Sequence, residues 1–378
     1  MPWKELSAMS LRLEFVTLAT ADEANVRELC RRYGISPQTA YKWIDRFRTS
    51  GPAGLEERSR RPTRSPRRCK SSLEKRILML RDAHPKWGAR KLRARLLALG
   101  ALSVPSASTI TAVLKRHGRL NPGPDPAHRP FIRFEHDAPN RLWQMDFKGH
   151  FAVGEGRCHP LTVLDDHSRF AVGLVACGDE QAETVQDVLT GLFRRYGLPE
   201  RILCDNGPPW GHPEARYTAL SVWLLKVGVG ISHGRPRHPQ TQGKDERFHR
   251  TLNAEVIQGR LFHGLNGCQR HFDRWREVYN HQRPHESLGL EVPARRYRTS
   301  ERPFPEILPQ WEYGPGDAVR KVQTNGSISF RGREYDLGQA FRGERVGVRP
   351  ADQDGLFGVY FGVHRVAQLE LKADDRGR

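Results

Sequence analysis

Three acidic residues constrain the fold of this chain more than any other feature, because each closes a different local pattern. Asp146 lies in the alternating apolar stretch LWQMDF, and Asp205 ends the β-rich run RILC. Glu246 follows the turn-rich stretch HPQTQG and opens a helical run. Both aspartates are therefore predicted at strand ends and Glu246 in a first helical turn. Two strand ends and one helix start can converge on one point, where hard carboxylate oxygens suit Mg²⁺.

The order of elements around these acids predicts a layered α/β domain. Strands are expected over residues 142–153, 159–164 and 170–177, followed by a helix over 182–196 and a strand that ends at Asp205. A helix over 215–227, a short strand over 230–233 and the helix of Glu246 complete the order. This βββαβα order matches an RNase H-like layer.

The charge of the chain indicates a polyanionic partner. It has 378 residues, with 62 Lys and Arg against 43 Asp and Glu, which leaves a net charge of +19. Nucleic acid is the expected partner, because a basic membrane-surface protein would need an amphipathic apolar face that the sequence lacks. The six cysteines are scattered and form no Cys-x-x-Cys pair, so reduced structural thiols are expected. No signal-peptide core or membrane span is visible, which predicts a cytoplasmic protein.

A helix-turn-helix pattern covers residues 22–49. Two helical stretches, 22–32 and 37–47, are joined through a turn that contains Gly34, and Ser36 can cap the second helix. The side chains expected on the outward face of the second helix are Gln38, Thr39, Tyr41 and Lys42. This face could enter a DNA major groove, and the alternative is a helical hairpin that only packs.

A strongly basic segment follows at residues 58–70, with the sequence RSRRPTRSPRRCK. It carries seven basic residues, no acidic ones and two prolines, so an extended cationic linker is predicted. Its candidate contacts to a minor groove or a phosphate track are Arg58, Arg60, Arg61, Arg67 and Arg68. The alternative is a linker that is merely solvated.

The remaining segments suggest a multidomain chain. Helices over 73–84, 89–99 and 106–117 predict a second small DNA-binding module. Short alternating runs after residue 313 predict a small antiparallel β domain, plausibly a compact barrel, whose arginines could bind DNA or only solubilise the fold. The expected bounds are 1–57, 71–120, 140–300 and 310–375, with linkers at 58–70 and 121–139.

Several ordered motifs carry a family resemblance. The stretches WQMDFKG, VLDDHSR, LCDNGPPW, HPQTQGKDERFHRTL and YNHQRPHESLG resemble the catalytic core of bacterial insertion-sequence DDE transposases, which are related to retroviral integrases. The resemblance covers residues 140 to about 297. It implies that Asp146, Asp205 and Glu246 are the ligands of two Mg²⁺ ions, with Mn²⁺ as a substitute. In such enzymes one ion activates water and then the freed 3′-hydroxyl, and the other stabilises the leaving oxygen.

Acidic neighbours of the three residues receive other roles. Asp165 and Asp166 precede a turn that an Asp can fix, so both are left outside the ligand set. Helical spacing directs Asp245 toward the apolar side of its helix.

Other polar residues around the core are candidate DNA contacts. Helical spacing places Glu246 on a polar face with His249 and Arg250. Lys244, His249 and Arg250 are candidate phosphate contacts, with ordinary solvent exposure as the open alternative. The HQRPH stretch lacks the spacing of a zinc site and is expected to pack or contact DNA.

The resemblance implies a DNA transposase that binds the terminal inverted repeats of its element and performs Mg²⁺-dependent cleavage and strand transfer. Double-stranded DNA, as element ends and as target, would be its partner, and two ends would require at least two protomers. Such a protein would be associated with the bacterial nucleoid. Two other classes stay open: a DNA-binding regulator that uses the core as a scaffold, and a structure-selective nuclease that cuts without joining.

Overall fold

A computed structural model describes residues 7–57, 69–120, 135–211, 216–234 and 243–371. The chain divides into two compact units, Met1–Arg68 and Cys69–Arg378. Within the described residues, no helix is long and apolar enough to cross a lipid bilayer. The basic residues proposed from the sequence to follow DNA lie outside the described ranges, namely Arg58, Arg60, Arg61, Arg67 and Arg68.

The first unit is a three-helix domain that contains the predicted helix-turn-helix. Its helices are α1 (Ala8–Ala19), α2 (Val26–Tyr33) and α3 (Pro37–Ser50). Gly34 ends α2 with a left-handed φ of 63°, and the Ser36 hydroxyl caps α3 by accepting from the backbone N–H of Thr39. Ala40, Trp43 and Ile44 are buried against α1, so α3 presents its opposite side outward. The predicted turn and cap are confirmed.

The second unit opens with a helical module made of α4 (Ser71–Ala83), α5 (Ala89–Ala98) and α6 (Ala107–Arg116). Ile110, Val113 and Leu114 of α6 are buried in the core of this module, as the spacing predicted. The structure adds a contact that the sequence did not indicate. Val278, from a helix of the α/β core that follows, packs against the same apolar cluster, so the module is attached to that core.

The middle of the second unit is built on a mixed sheet whose central strands carry the two aspartates. Its strands are β1 (Trp143–Phe147), β2 (Phe151–Ala152), β3 (Arg157–Asp165), β4 (Ala171–Cys177), β5 (Arg201–Cys204) and β6 (Gly230–His233). The hydrogen-bonded order is β2-β3-β1-β5-β6, and β4 pairs with β3. β3 runs antiparallel to β1, whereas β5 runs parallel to β1 and to β6.

Helices cover both faces of this sheet. α7 (Ala182–Tyr196) and α8 (Ala219–Lys226) pack on one face, and α9 (Gly243–Leu252) and α10 (Leu265–His281) pack on the other. The buried sides of α7 and α9 contain Leu189 and Phe248, which meet opposite faces of β3. The three layers confirm the predicted α/β class.

The C-terminal region forms an open sheet rather than the predicted compact barrel. Its strands are β7 (Ala318–Lys321), β8 (Ser327–Phe330), β9 (Arg333–Asp336), β10 (Arg345–Pro350), β11 (Leu356–Phe361) and β12 (His364–Glu370). Four of them pair in the order β12-β11-β10-β7, while β8 and β9 form a separate hairpin. Val222 and Leu225 of α8 enter the apolar core of this region. Because α8 covers one side, the sheet buries its inner face without closing on itself.

Candidate active site

The register of two parallel strands brings Asp146 and Asp205 together. On β1 and β5, Trp143 pairs with Ile202, and Gln144 pairs with Leu203. Asp146 lies two residues beyond Gln144, and Asp205 lies two residues beyond Leu203. The carboxyl ends of parallel strands meet at the same sheet edge, so the two carboxylates face a common space there.

The electrostatics of Asp146 reflect this proximity. Burial and, second, the negative charge of Asp205 together raise the pKa of Asp146 to about 7. A hydrogen bond from the Phe147 backbone opposes the shift without cancelling it. The two neighbouring carboxylates therefore form a site that is short of positive charge. A divalent cation with a preference for oxygen ligands would supply that charge.

The backbone around Asp205 fixes its orientation. One carboxylate oxygen of Asp205 accepts a hydrogen bond from the Gly207 backbone N–H at 3.1 Å, and His233 Nδ1 donates to the Asp205 carbonyl at 2.8 Å. Trp210 is buried and stacks on Phe147 with ring centroids 5.5 Å apart. This stacking ties the loop after Asp205 to the end of β1. Residues 212–215 of the predicted enlarged loop lie outside the described ranges.

Glu246 is exposed in the first turn of α9, as predicted. The helix begins at Gly243, directly after residues 235–242, which the structure does not describe. In the described part of the chain, no three His, Cys, Asp or Glu side chains come close enough together to hold a metal ion. The structure therefore brings two of the three predicted ligands together, and the role of Glu246 as the third stays a prediction.

His249 contacts the strand side of the site from α9. Its Nε2 lies 2.8 Å from Thr162 Oγ1, and its Nδ1 lies 3.9 Å from an Asp146 carboxylate oxygen. The Thr162 hydroxyl donates its hydrogen to the Asp146 carbonyl at 2.9 Å, so it accepts from His249 Nε2–H. Burial, together with the charge of Lys148, lowers the pKa of His249 to about 4, which makes the ring neutral at neutral pH.

Lys244 pairs with a buried carboxylate rather than extending into solvent. Its ammonium group donates to a carboxylate oxygen of Asp166, a residue that is only 1% exposed. The neighbouring Asp165 is fully buried and accepts from the backbone N–H groups of Asn140 and Ser168 at 2.7 and 2.8 Å. Both aspartates, at the end of β3 and directly after it, thus have hydrogen-bond partners of their own. The phosphate contacts proposed for Lys244 and His249 stay predictions.

Asp245 lies on the apolar side of α9, as its helical position predicted. The residue is 2% exposed, and its Oδ1 atom has no hydrogen-bond partner among the described residues. Burial raises its pKa well above the ordinary value, and the charge of Asp146 adds to this. Burial therefore favours the protonated form of Asp245. Arg250, the remaining candidate phosphate contact on this helix, is exposed.

The outward face of α3 is available for a ligand. Gln38, Tyr41 and Lys42 are exposed, and Tyr41 reaches 61% exposure. Thr39 is half-buried, because its hydroxyl pairs with the Ser36 hydroxyl at 2.9 Å. Contacts of this face with DNA stay a prediction.

Thr162 is the site residue that the sequence gave no reason to select. It lies directly opposite Asp146 in the antiparallel pairing of β1 and β3. No motif marks a threonine in this position, and only the strand register identifies it. Gln144 could have been found, because it precedes Asp146 by two residues and the strand period places both on one face.

Models of known domain families match most of the chain in consecutive pieces. Two integrase core domain models match residues 136–239 and 227–293, and the C-terminal domain of the IS481 family transposases matches residues 317–377. A helix-turn-helix domain model matches residues 11–63, and a homeodomain-like model matches residues 39–114. Different segments of the chain therefore match integrase core, helix-turn-helix and IS481-family transposase C-terminal domains.

Curated relatives agree with these matches. The chain is 28% identical over 177 residues to an uncharacterized 31.7 kDa protein of insertion element IS407 from Burkholderia multivorans, which covers 45% of this chain and 62% of the relative. A putative transposase of insertion sequence element IS5376 from Geobacillus stearothermophilus is 22% identical, and the match covers 63% of this chain and 61% of the relative. The chain thus spans less than two thirds of the length of these relatives.

The solved structures that match this chain include viral integrases. The catalytic core domain of HTLV-2 integrase in complex with magnesium is 16% identical, covers 42% of this chain and 97% of that chain, and has a TM-score of 0.33. A chain of the simian T-cell lymphotropic virus intasome in complex with the PP2A regulatory subunit B56 gamma is 15% identical, covers 79% of this chain and 99% of that chain, and has a TM-score of 0.35.

Proposed function

We propose that this protein is a DNA transposase that binds the terminal inverted repeats of an insertion sequence and catalyses metal-dependent cleavage and strand transfer. The observation that carries the proposal is the pair of carboxylates, Asp146 and Asp205, at the ends of adjacent parallel strands inside an integrase core. Glu246, at the start of the helix that packs beside β1, would complete the ligand set. The matched transposase and helix-turn-helix domains support the same reading.

The residues at the strand ends fit a divalent metal. Carboxylate oxygens are the ligands that Mg²⁺ prefers, and the pKa of Asp146, raised to about 7, indicates that positive charge is missing beside it. Asp146, Asp205 and Glu246 would hold two Mg²⁺ ions, for which Mn²⁺ would substitute. Bound metal supplies Lewis-acid activation of the attacking oxygen and stabilises charge on the leaving oxygen.

Hydrogen bonds around Asp146 and Asp205 would hold these two metal-ligand candidates in fixed positions. The Gly207 backbone holds the Asp205 carboxylate, and Thr162 holds the backbone of Asp146. His249, neutral at neutral pH, lies beside Asp146 without an ionic charge that would compete with a cation. Together these contacts limit the movement of two metal ligands before DNA arrives, which lowers the reorganisation needed for reaction.

DNA recognition would use the N-terminal helices. The first domain, residues 1–57, would place α3 in a major groove, with Gln38, Tyr41 and Lys42 as the reading residues. Double-stranded DNA is the partner that the net charge of +19 favours. Because an element has two ends, the active form would be a homo-oligomer on DNA.

Cleavage and joining of DNA that carries the terminal repeats test the catalytic proposal. Asp146→Asn, Asp205→Asn and Glu246→Gln should each lower Mg²⁺-dependent cleavage at least about a thousandfold, because each removes charge stabilisation worth several kcal/mol. Glu183→Gln is the matched control, since Glu183 is an exposed acid of the same core on α7. It should cut and join at the wild-type rate.

Each other outcome has a distinct meaning. End binding without cleavage under Mg²⁺ or Mn²⁺ would favour a DNA-binding regulator. Cutting without joining would favour a nuclease. Cleavage that survives the loss of any one of the three acids would show that the ligand set is wrong.

A separate experiment tests recognition. The double variant Gln38→Ala/Lys42→Ala should bind terminal repeats and random DNA with similar affinity, because two of the three proposed reading side chains of α3 are removed. Each good base contact contributes about 1–3 kcal/mol of discrimination. Fluorescence anisotropy at several salt concentrations measures both affinities. Unchanged preference for the repeats would remove α3 from the recognition surface.

A further inference from the structure

The carboxylate of Asp166 joins the two sides of the candidate site. Its Oδ1 atom accepts a hydrogen bond from Gln144 Nε2 at 2.7 Å and also receives the Lys244 ammonium group. Its Oδ2 atom accepts from the His136 backbone N–H at 2.9 Å. One buried carboxylate is therefore bonded to β1, to α9 and to the segment that enters β1.

The positions of these partners relative to the metal-ligand candidates are informative. Gln144 precedes Asp146 by two residues on β1, and Lys244 precedes Glu246 by two residues on α9. With one oxygen atom, Asp166 therefore binds Gln144 beside the strand ligand and Lys244 beside the helix ligand. The backbone N–H of Asp166 also donates to the Leu142 carbonyl at 2.9 Å, which fixes Asp166 itself to the start of the strand.

Burial makes this connection stiff. Asp166 is 1% exposed and Gln144 is 2% exposed, so water does not compete for their hydrogen bonds. The Lys244 side chain is 18% exposed, which leaves its ion pair largely desolvated. A charge-assisted hydrogen bond in such surroundings is shorter and stronger than a neutral one.

We propose that Asp166 is a positioning residue that sets the separation between Asp146 and Glu246 through Gln144 and Lys244. The proposal rests on the function proposed above, and it assigns Lys244 to the alignment of α9 rather than to a DNA phosphate. Asp166 would act through its two partners and would not contact metal or DNA. Removing its charge would leave the strand ligands in place and release the first turn of α9.

Asp165 offers a matched control for Asp166. It is the preceding residue, it is also fully buried and it also carries hydrogen bonds, but its partners are Asn140 and Ser168. Asp165→Asn should therefore weaken the turn without disturbing Gln144 or Lys244. Asp166→Asn removes one charge of the same kind from the adjacent position.

Metal binding measured without turnover tests the proposal. Mn²⁺ affinity is read from electron paramagnetic resonance of the free ion, on full-length folded protein without DNA. Substituting a residue that orients metal ligands typically lowers metal affinity 10–100-fold. The Asp166→Asn variant should therefore bind Mn²⁺ about tenfold or more weakly than the wild type. Lys244→Met should do the same, and Lys244→Arg should restore most of the affinity. Asp165→Asn should bind Mn²⁺ within about threefold of wild type even if its melting temperature falls.

The outcomes separate this inference from the proposed function. Equal Mn²⁺ affinity of Asp166→Asn and Asp165→Asn, in a protein whose binding is abolished by Asp146→Asn, would overturn only the positioning role. Wild-type protein that binds no Mn²⁺ would overturn the metal-dependent function, and with it the inference. The same ranking of variants in cleavage rate at saturating DNA, with unchanged DNA affinity of Lys244→Met, would support Lys244 as an alignment residue.

Discussion

The two sides of the candidate site are held by different forces. On the strand side, Asp146 and Asp205 follow paired β1 and β5, so their places are set by backbone hydrogen bonds. On the helix side, Glu246 depends on how α9 is attached, and that attachment uses the side chains of Lys244 and His249. Backbone hydrogen bonds between strands persist through most single substitutions. A side-chain hydrogen bond, in contrast, is lost when its one residue is substituted. The helix side is therefore the adjustable half of the site.

The largest expected effect is the loss of unfolding free energy when the side-chain attachment of α9 is removed. Lys244→Met leaves the Asp166 carboxylate buried without its cation, and loss of one partner of a buried pair costs about 3 kcal/mol of unfolding free energy. The double variant Asp166→Asn/Lys244→Met removes both charges and should regain most of that loss. Chemical denaturation of the three proteins measures the cycle. A single variant as stable as wild type would mean that α9 is held by other contacts.

The next effect concerns the strand side and depends on pH. Below pH 3.8 Asp146 is protonated in both the folded and the unfolded chain, and the raised pKa has no effect. Between pH 3.8 and about 7 the unfolded chain ionises first, so the wild type loses stability as pH rises. Discounted for partial exposure of the side chain, the shift corresponds to about 2 kcal/mol of unfolding free energy.

The Asp146→Asn substitution removes this pH-dependent loss of stability. In metal-free buffer its unfolding free energy should match that of the wild type near pH 4 and exceed it above pH 7. Added Mg²⁺ should raise the melting temperature of the wild type and leave that of Asp146→Asn nearly unchanged. Thermal melts at both pH values with and without Mg²⁺ provide the measurement. A stability gap that is constant with pH would contradict the raised pKa of Asp146.

The smallest effect is expected where the two sides touch. Thr162→Val removes the hydroxyl that donates to the Asp146 carbonyl and accepts from His249, which should cost about 1 kcal/mol of stability. Thr162→Ser keeps the hydroxyl and should be close to wild type. If the two variants were equally stable, the hydroxyl would contribute nothing to the junction between β3 and α9.

Much of the fold follows from local sequence patterns. The Gly34 turn, the Ser36 cap and the buried side of α3 were predicted from spacing, because helix signals depend on neighbours three or four residues apart. The strand ends at Asp146 and Asp205 were predicted for the same kind of reason. The C-terminal barrel was overstated, because alternation identifies strands without showing whether a sheet closes.

The sequence by itself determined the types of elements, the presence of two acids at strand ends and the burial of Asp245 on α9. Tertiary structure alone decided that Thr162 faces Asp146 and that the second helical module shares a core with Val278. It also decided that Asp166 bonds partners 22 and 78 positions away. The physical reason is that side-chain period is a local property, whereas strand register and helix docking depend on contacts between distant segments that no local pattern encodes.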